Sequence, residues 1–216
     1  MSEAGATLLG RFDPMAFRRA AGCFATGVSI VAAEDESGRK VGVTVNSFVS
    51  VSLDPPLISV ALARSLSSMP VFERASHFAV SVLGEEHAHV ATRFASRGAD
   101  KWAGTPSAAG VCGAPLIEDA IATFECARYA MHDGGDHHIL IGRVLELTWA
   151  PARRPLLFHG GGFATLGAPS AAPPRSSAPS ARAGAAESGD EGLATLRAAK
   201  EILGKPTRIR LGTPLA

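Results

Sequence analysis

With 216 residues, 46% of them hydrophobic, the chain can bury one sizeable core, and one folded domain is the simplest expectation. Its formal net charge of +1 gives no electrostatic attraction to nucleic acid or to an acidic membrane surface. No apolar stretch approaches the roughly 20 residues that cross a bilayer, and residues 1–10 lack the regions of a secretory signal. The sequence therefore predicts a cytoplasmic protein without nucleic-acid or membrane partners.

The first half of the chain is expected to open with a helix and to continue in short strands. Asp13 before Pro14 is typical of an N-cap followed by the first helical position. Apolar runs predict strands at residues 28–32, 40–45, 57–62 and 77–83, and the first two form a hairpin. A further helical turn is expected to start at Pro70.

The second half is expected to add one helix and two long strands. Acidic residues at the start and arginines at the end of 85–95 favour a helix. Residues 120–131 and 137–149 predict a long hairpin, and 156–159 with 163–166 are expected to close the sheet around a glycine turn. The pattern favours a mainly β fold, a closed antiparallel barrel with peripheral helices.

The C-terminal part differs in composition. Residues 167–189 are rich in Ala, Pro, Ser and Gly and predict a disordered linker after a barrel domain at 1–166. In the tail at 190–216, Asp190 is placed to cap a short amphipathic helix that reaches Leu203. Such a helix needs a partner surface, so the tail either docks a partner protein or is an extension without function.

The three cysteines, Cys23, Cys112 and Cys126, are odd in number and far apart, and they lack a CxxC spacing. They are interpreted as buried free thiols. A nucleophilic cysteine is a minor alternative, because none lies in an electropositive stretch of sequence.

Residues 42–56 form the densest polar feature, a strand followed by hydroxyl and amide side chains. Thr44, Asn46 and Ser47 are suited to hydrogen-bond a flavin, whose pyrimidine edge and ribityl chain need donors and acceptors. The alternative, that these residues only cap turns, has about equal weight on spacing alone.

Two further features are candidates for ligand binding. Arg64, Ser65 and Ser68 follow an apolar strand and precede a helix start, where phosphate meets free N–H groups and a cation, although an N-cap with a solvated arginine is as plausible. His137 and His138 follow two glycines and an aspartate. Because neighbouring strand residues point to opposite faces, these histidines do not easily share a metal ion, and one is expected to face a cleft.

Several of these pieces together resemble a known family. Residues 24–28, 44–56, 100–102, 135–137 and 158–163 are similar, in order and spacing, to the flavin reductase family with the FMN-binding split barrel. The resemblance spans about residues 12–166 and implies a homodimer of Greek-key-like split barrels. In such a dimer the flavin lies near the subunit interface and a nicotinamide nucleotide enters over its ring.

The resemblance also implies site residues. By position, it assigns the flavin to Thr26, Thr44, Val45, Asn46, Ser47 and Ser50, and phosphate to Arg64, Ser65, Ser68 and Lys101. The Gly-Asp-His element implies nicotinamide nucleotide binding by His137, with Phe158 and Phe163 as stacking partners. The turn Gly160 to Gly162 is richer in glycine than expected of relatives.

The implied activity is that of an NAD(P)H:flavin oxidoreductase that reduces FAD or FMN and supplies free reduced flavin to a partner monooxygenase. No GxGxxG element is present, so a Rossmann nucleotide domain is not supported. Two alternatives stay open: tightly bound FMN in an oxidase or metal reductase, and a non-enzymatic flavin carrier or sensor. The sequence does not distinguish FAD from FMN or NADH from NADPH.

Overall fold

The fold is known from a computed structural model that describes residues 13–98, 100–150, 152–167 and, as backbone, 207–210. Within these residues the helices are α1 (Pro14–Ala21), α2 (Met69–Arg74) and α3 (Ala88–Ala95), the last preceded by a 3-10 turn (Glu85–His87). The strands are β1 (Thr26–Gly27), β2 (Ser29–Glu34), β3 (Lys40–Val45), β4 (Val49–Leu53), β5 (Pro56–Ala63), β6 (His77–Val82), β7 (Ser107–Ala109), β8 (Pro115–Ile117), β9 (Ala122–Gly134), β10 (His137–Trp149), β11 (Leu157–His159), β12 (Gly162–Ala164) and β13 (Thr207–Arg210). None of the described helices has the length and apolar character that a membrane span needs.

One antiparallel sheet dominates, in the strand order β3-β2-β6-β9-β10-β5-β4. Its centre is the long β9–β10 hairpin. Strand β5 pairs with the first part of β10, from His137 to Arg143, and β13 pairs with the last part, from Glu146 to Trp149. Strand β13 therefore pairs with the part of the β10 edge that β5 does not reach.

Two apolar clusters pack on opposite faces of β2. Val31 and Ala33 face a cluster with β3, β5 and α2, whereas Ile30 and Ala32 face a second cluster that includes α3. This alternation follows from the two-residue period of a strand. Burial on both faces explains why β2 reads as a continuous apolar run.

The sheet curls so that its two ends approach each other. Val43 and Val45 of β3 share a core with Val60 and Leu62 of β5, although the two strands are far apart in the sheet order. No strand pairing joins β3 to β4 in the described part of the chain. The described strands therefore do not form the fully hydrogen-bonded closed barrel that the sequence predicted.

Several local predictions are confirmed. The Asp13 carboxylate accepts hydrogen bonds from Met15 N at 3.0 Å and Ala16 N at 3.2 Å, as expected for the cap of α1. The β2–β3 and β9–β10 hairpins and α3 also form where the sequence placed them.

Other local predictions were wrong. Residues 157–159 and 162–164 do not close the main sheet, because they pair with each other and with β1 in a separate three-stranded sheet. The polar segment after β3 contains strand β4, and the tail contains β13, neither of which was predicted. The predicted linker and the helix from Asp190 to Leu203 lie outside the described residues. Cys23 is exposed and Cys112 partly buried, so only Cys126 is the expected buried thiol.

Candidate active site

Two hydroxyl groups predicted to contact flavin are hydrogen-bonded to the protein backbone. Thr44 Oγ1 donates to Ala91 O at 2.7 Å, which joins β3 to α3. Ser47 Oγ accepts from Ala61 N at 2.9 Å and donates to Ala61 O at 3.1 Å. Both oxygens keep acceptor capacity, because a hydroxyl has two lone pairs.

The other predicted residues of this segment differ in exposure. The Val45 side chain belongs to the core, so Val45 can offer a ligand only its backbone. Asn46 and Ser50 are exposed. Ser50 lies on β4, the last strand of the sheet order, opposite Ile58 of β5. In this segment the Asn46 amide and the Ser50 hydroxyl are exposed to solvent, whereas the hydroxyls of Thr44 and Ser47 are hydrogen-bonded to the backbone.

Thr26 and the two predicted stacking phenylalanines lie together in the small sheet. Thr26 is opposite Phe158 in the β1–β11 pairing. The rings of Phe158 and Phe163 have centroids 6.0 Å apart and meet edge to face at 69°. Phe163 is 42% exposed, so it offers an apolar surface to a ligand. Thr26 Oγ1 is buried and has no hydrogen-bond partner among the described residues.

The unpartnered hydroxyl of Thr26 leads to a test. A buried hydroxyl without a partner costs about 1–3 kcal/mol, so Thr26→Val is expected to leave the free energy of unfolding of the ligand-free protein unchanged or to raise it. If the hydroxyl binds flavin, the same change weakens flavin binding about tenfold. Thermal unfolding and flavin titration measure the two effects, and Thr26→Ser is the control. Unchanged flavin affinity would remove Thr26 from the site.

Arg64 joins the predicted phosphate loop to the Gly-Asp-His element. Its guanidinium donates to Gly135 O at 2.8 Å, lies 3.2 Å from His138 Nε2 and forms an ion pair of 2.9 Å with Asp133. Its backbone N–H donates to Asp136 O at 3.0 Å. Two features that the sequence presented separately therefore form one cluster, in which Asp133 already neutralises part of the arginine charge.

The two serines of the same loop are less engaged. Ser65 is exposed. Ser68 precedes α2, and its side chain makes no capping hydrogen bond. Both hydroxyls are therefore available to a ligand, whereas the N-cap role weighed for this loop is not realised by a side chain.

The adjacent histidines have different surroundings. His137 Nδ1 lies 2.6 Å from Asp136 Oδ1, and this hydrogen bond is the main cause that lowers the pKa of Asp136. The His137 side chain is 41% exposed, whereas that of His138 is 16% exposed and lies between Arg64 and Glu73. His137 is therefore the accessible histidine, and a carboxylate orients its ring.

Lys101, predicted to bind phosphate, lies between β3 and α3. Its ammonium group donates to Phe94 O at 2.8 Å and to Gly42 O at 3.2 Å. Burial lowers the pKa of Lys101. Two of its three donors hold the helix against the sheet, so a structural role accounts for much of this residue, and phosphate binding by its third donor stays a prediction.

Two groups of predicted site residues approach each other across the gap between β3 and β5. Ser29 at the start of β2 is opposite Val45 at the end of β3, and Ala63 at the end of β5 is opposite His137 at the start of β10. The Ser47 hydroxyl joins these two groups through its bonds to β5. The polar segment after β3 and the Gly-Asp-His element are therefore neighbours in space.

The donor set fits a flavin. The unpartnered Thr26 hydroxyl, the acceptor capacity of Thr44 and Ser47 and the exposed Asn46 amide match the needs of a pyrimidine edge and a polyol chain.

Thiol chemistry has less support. The described residues contain no group of three His, Cys, Asp or Glu that could hold a metal ion. Burial raises the pKa of Cys112 to about 11 and that of Cys126 further, which opposes thiolate formation. Asp133 and Glu73 also belong to this region and were not predicted from the sequence, in which only the position of Asp133 just before the glycine turn carried a signal.

Comparison with known proteins confirms the resemblance. The family model described as "Flavin reductase like domain" matches residues 21–167. The chain belongs to this flavin reductase family.

Relatives cover most of the same region. A flavin reductase of Pseudomonas putida is 41% identical over 151 residues, which is 70% of this chain and 89% of that protein. The HsaB reductase subunit of a flavin-dependent monooxygenase of Rhodococcus jostii is 38% identical and covers 74% of this chain and 81% of its own. Among solved structures, the Streptomyces globisporus NADH:FAD oxidoreductase SgcE6, in complex with NAD and FAD fragments, superposes with a TM-score of 0.69 at 37% identity, over 72% of this chain and 93% of that one.

Proposed function

We propose that this protein is an NADH- or NADPH-dependent flavin reductase that supplies free reduced FAD or FMN to a partner monooxygenase in the cytoplasm. The observation that carries the proposal is the connection of the polar segment after β3 to β5 through Ser47, next to the start of β10 that carries the Asp136–His137 pair. Family membership and the relatives' activities agree with it.

The chemistry belongs to the ligands. When both are bound, the nicotinamide supplies a hydride and the flavin accepts it, so the protein needs no nucleophile. Its residues must orient the two rings at about 3 to 3.5 Å and stabilise the negative charge that develops on the flavin. In our proposal, backbone N–H groups near Asn46 and Ser47 donate to the pyrimidine edge. Phe163 covers the site against water, and His137, held by Asp136, orients the nucleotide.

The architecture proposed for this function is a split barrel. The Ser47 hydroxyl bridges to Ala61 across the region where β3 and β5 approach, and the two strands share a core. Side-chain packing at this gap, in place of a continuous ladder of backbone bonds, supports a barrel that is open on one side.

A homodimer is also part of the proposal. Strand β4 lies at one end of the main sheet and exposes Val49, Val51 and Leu53 by 55%, 51% and 82%. An exposed apolar edge strand is an association surface unless it is covered. We therefore place a second copy of the chain over β4, next to the polar segment that carries the flavin candidates.

The dimer is tested by changing the most exposed of these side chains. Leu53→Glu is expected to convert dimer to monomer at micromolar concentration, because a buried unpaired carboxylate costs several kcal/mol. Light scattering after size-exclusion chromatography measures the mass. Val111→Glu, at a side chain exposed to a similar degree as Val49, is the control that should stay dimeric. A dimer of unchanged stability in Leu53→Glu would exclude β4 from the interface.

The activity itself is tested by oxidation of NADH and of NADPH, with FMN, FAD and riboflavin titrated in turn. Saturable turnover that depends on added flavin is the expected result. A protein that retains flavin and ignores added flavin would instead support the prosthetic-group alternative. Absence of oxidation with either nucleotide would contradict the reductase proposal.

A further inference from the structure

A cavity of about 250 Å³ lies where the end of α1 meets the turn between β11 and β12. Arg18, Arg19 and Gly22 line it on the helix side, and Gly160 and Gly161 line it on the turn side. Gly160 N donates to Gly22 O at 3.0 Å, which joins the two sides. None of these residues has a role in the site described above.

The glycine turn forms one wall of this cavity from residues that have no side chain. Gly160 and Gly161 have φ angles of +59° and +87°, which side-chain-bearing residues rarely adopt. A Cβ atom built on either glycine would meet nothing within 4 Å. The wall is therefore bare backbone beside open space, and a bulky group can approach it closely.

The two arginines on the helix side of the cavity differ in their ion pairing. Arg19 is within 3.6 Å of Asp13, in an exposed pair. Among the described residues, no carboxylate lies within ion-pair distance of Arg18. A guanidinium without a fixed partner at the rim of an open cavity is suited to a phosphate, which it binds through two parallel hydrogen bonds.

The cavity is also next to the nucleotide candidates. The turn that forms its wall joins the strands that carry Phe158 and Phe163. The positive charge of Arg18 also makes a small contribution to the lowered pKa of Asp136, whose main cause is the His137 hydrogen bond. The cavity therefore adjoins the hairpin that carries the phenylalanine pair.

We propose that this cavity binds a phosphate group of the nicotinamide nucleotide, with Arg18 as the principal ligand and Arg19 as the second. The inference rests on the proposed reductase function and adds the residues that hold the anionic part of the electron donor. Phosphate is present in NADH as a diphosphate and in NADPH also as a 2′-phosphate, and the test separates these sources.

The test is calorimetric titration of Arg18→Gln with NAD⁺ and with NADP⁺, which needs no turnover. Loss of one charge-assisted interaction is expected to weaken binding about tenfold. Weaker binding of both nucleotides would assign the diphosphate, and weaker binding of NADP⁺ alone would assign the 2′-phosphate. Arg19→Gln is expected to have a smaller effect because Asp13 shares its charge.

The control is Arg97→Gln, at an exposed arginine just beyond the end of α3. It should bind both nucleotides as the unchanged protein does, and circular dichroism checks that all variants fold. Unchanged binding of both nucleotides by Arg18→Gln would overturn the inference and leave the reductase proposal intact. Weaker binding of FMN but not of riboflavin, with nucleotides unaffected, would also overturn it by assigning the cavity to the flavin phosphate. Failure of the unchanged protein to bind either nucleotide would instead contradict the reductase function and the inference together.

Discussion

Replacing His137 with alanine is expected to raise KM for the nicotinamide nucleotide about tenfold or more, with kcat changed by about twofold at most. A side chain that binds the nucleotide equally in the ground and transition states contributes to KM and not to kcat, and one hydrogen bond to a charged or polar group accounts for a change of that size. KM for flavin should stay the same. Steady-state NADH oxidation at saturating flavin measures the effect.

Two variants sharpen this experiment. His132→Ala changes an exposed histidine on the same hairpin and should leave both KM values unchanged. Asp136→Asn removes the charge that orients the His137 ring, so it should raise KM for the nucleotide by a smaller factor. If His137→Ala folds and keeps its nucleotide KM, His137 has no part in the site.

The largest expected effect on stability is that of Gly142→Ala in β10. A Cβ at this position would lie 2.4 Å from Phe78 Cζ and 2.7 Å from Cys126 Cβ. Phe78 and Cys126 are both buried, and the Cys126 Cβ is fixed by its backbone. Overpacking of this kind costs about 1–3 kcal/mol, which lowers Tm by several degrees in a chain of this size.

Thermal unfolding followed by circular dichroism checks this expectation. Gly27→Ala is the matched control, because a Cβ there would meet nothing within 4 Å and the residue lies in extended strand β1. A second variant, Gly142→Ala combined with Phe78→Leu, should recover part of the loss because it opens space at the clash. An unchanged Tm in Gly142→Ala would show that the core accommodates the added methyl group without loss of stability.

Local features of the fold were predictable because their causes lie within a few residues. The Asp13 side chain caps the helix that follows it directly, and β2 and β3 form a hairpin across a short turn. Strand β4 was missed although its serines alternate with apolar residues, because its polar side chains were interpreted as a ligand-binding loop. Pairing with β5, which the sequence cannot display, decides its conformation.

The site was predictable as a set of segments but not as an arrangement. The order of the motifs identified the family, and the exposed position of His137 agrees with its assigned role, although the binding roles of all these residues stay predictions. The pairing of Arg64 with Asp133 and the contacts of Lys101 with Phe94 and Gly42 were invisible to sequence reasoning. The two residues of each of these contacts are between seven and about seventy positions apart in the sequence.

The sequence by itself determined the family, the strands of the main hairpins and the residue types that suit flavin and nucleotide, because these depend on local pattern and motif order. Only the tertiary structure decided which polar groups are already engaged in holding the fold, such as Thr44, Ser47 and Lys101, and which have no ion-pair partner among the described residues, such as Arg18. It also placed β11 and β12 with β1 and β13 along β10. Backbone and side-chain hydrogen bonds are satisfied by whatever lies nearest in space, and folding sets that distance independently of separation along the chain.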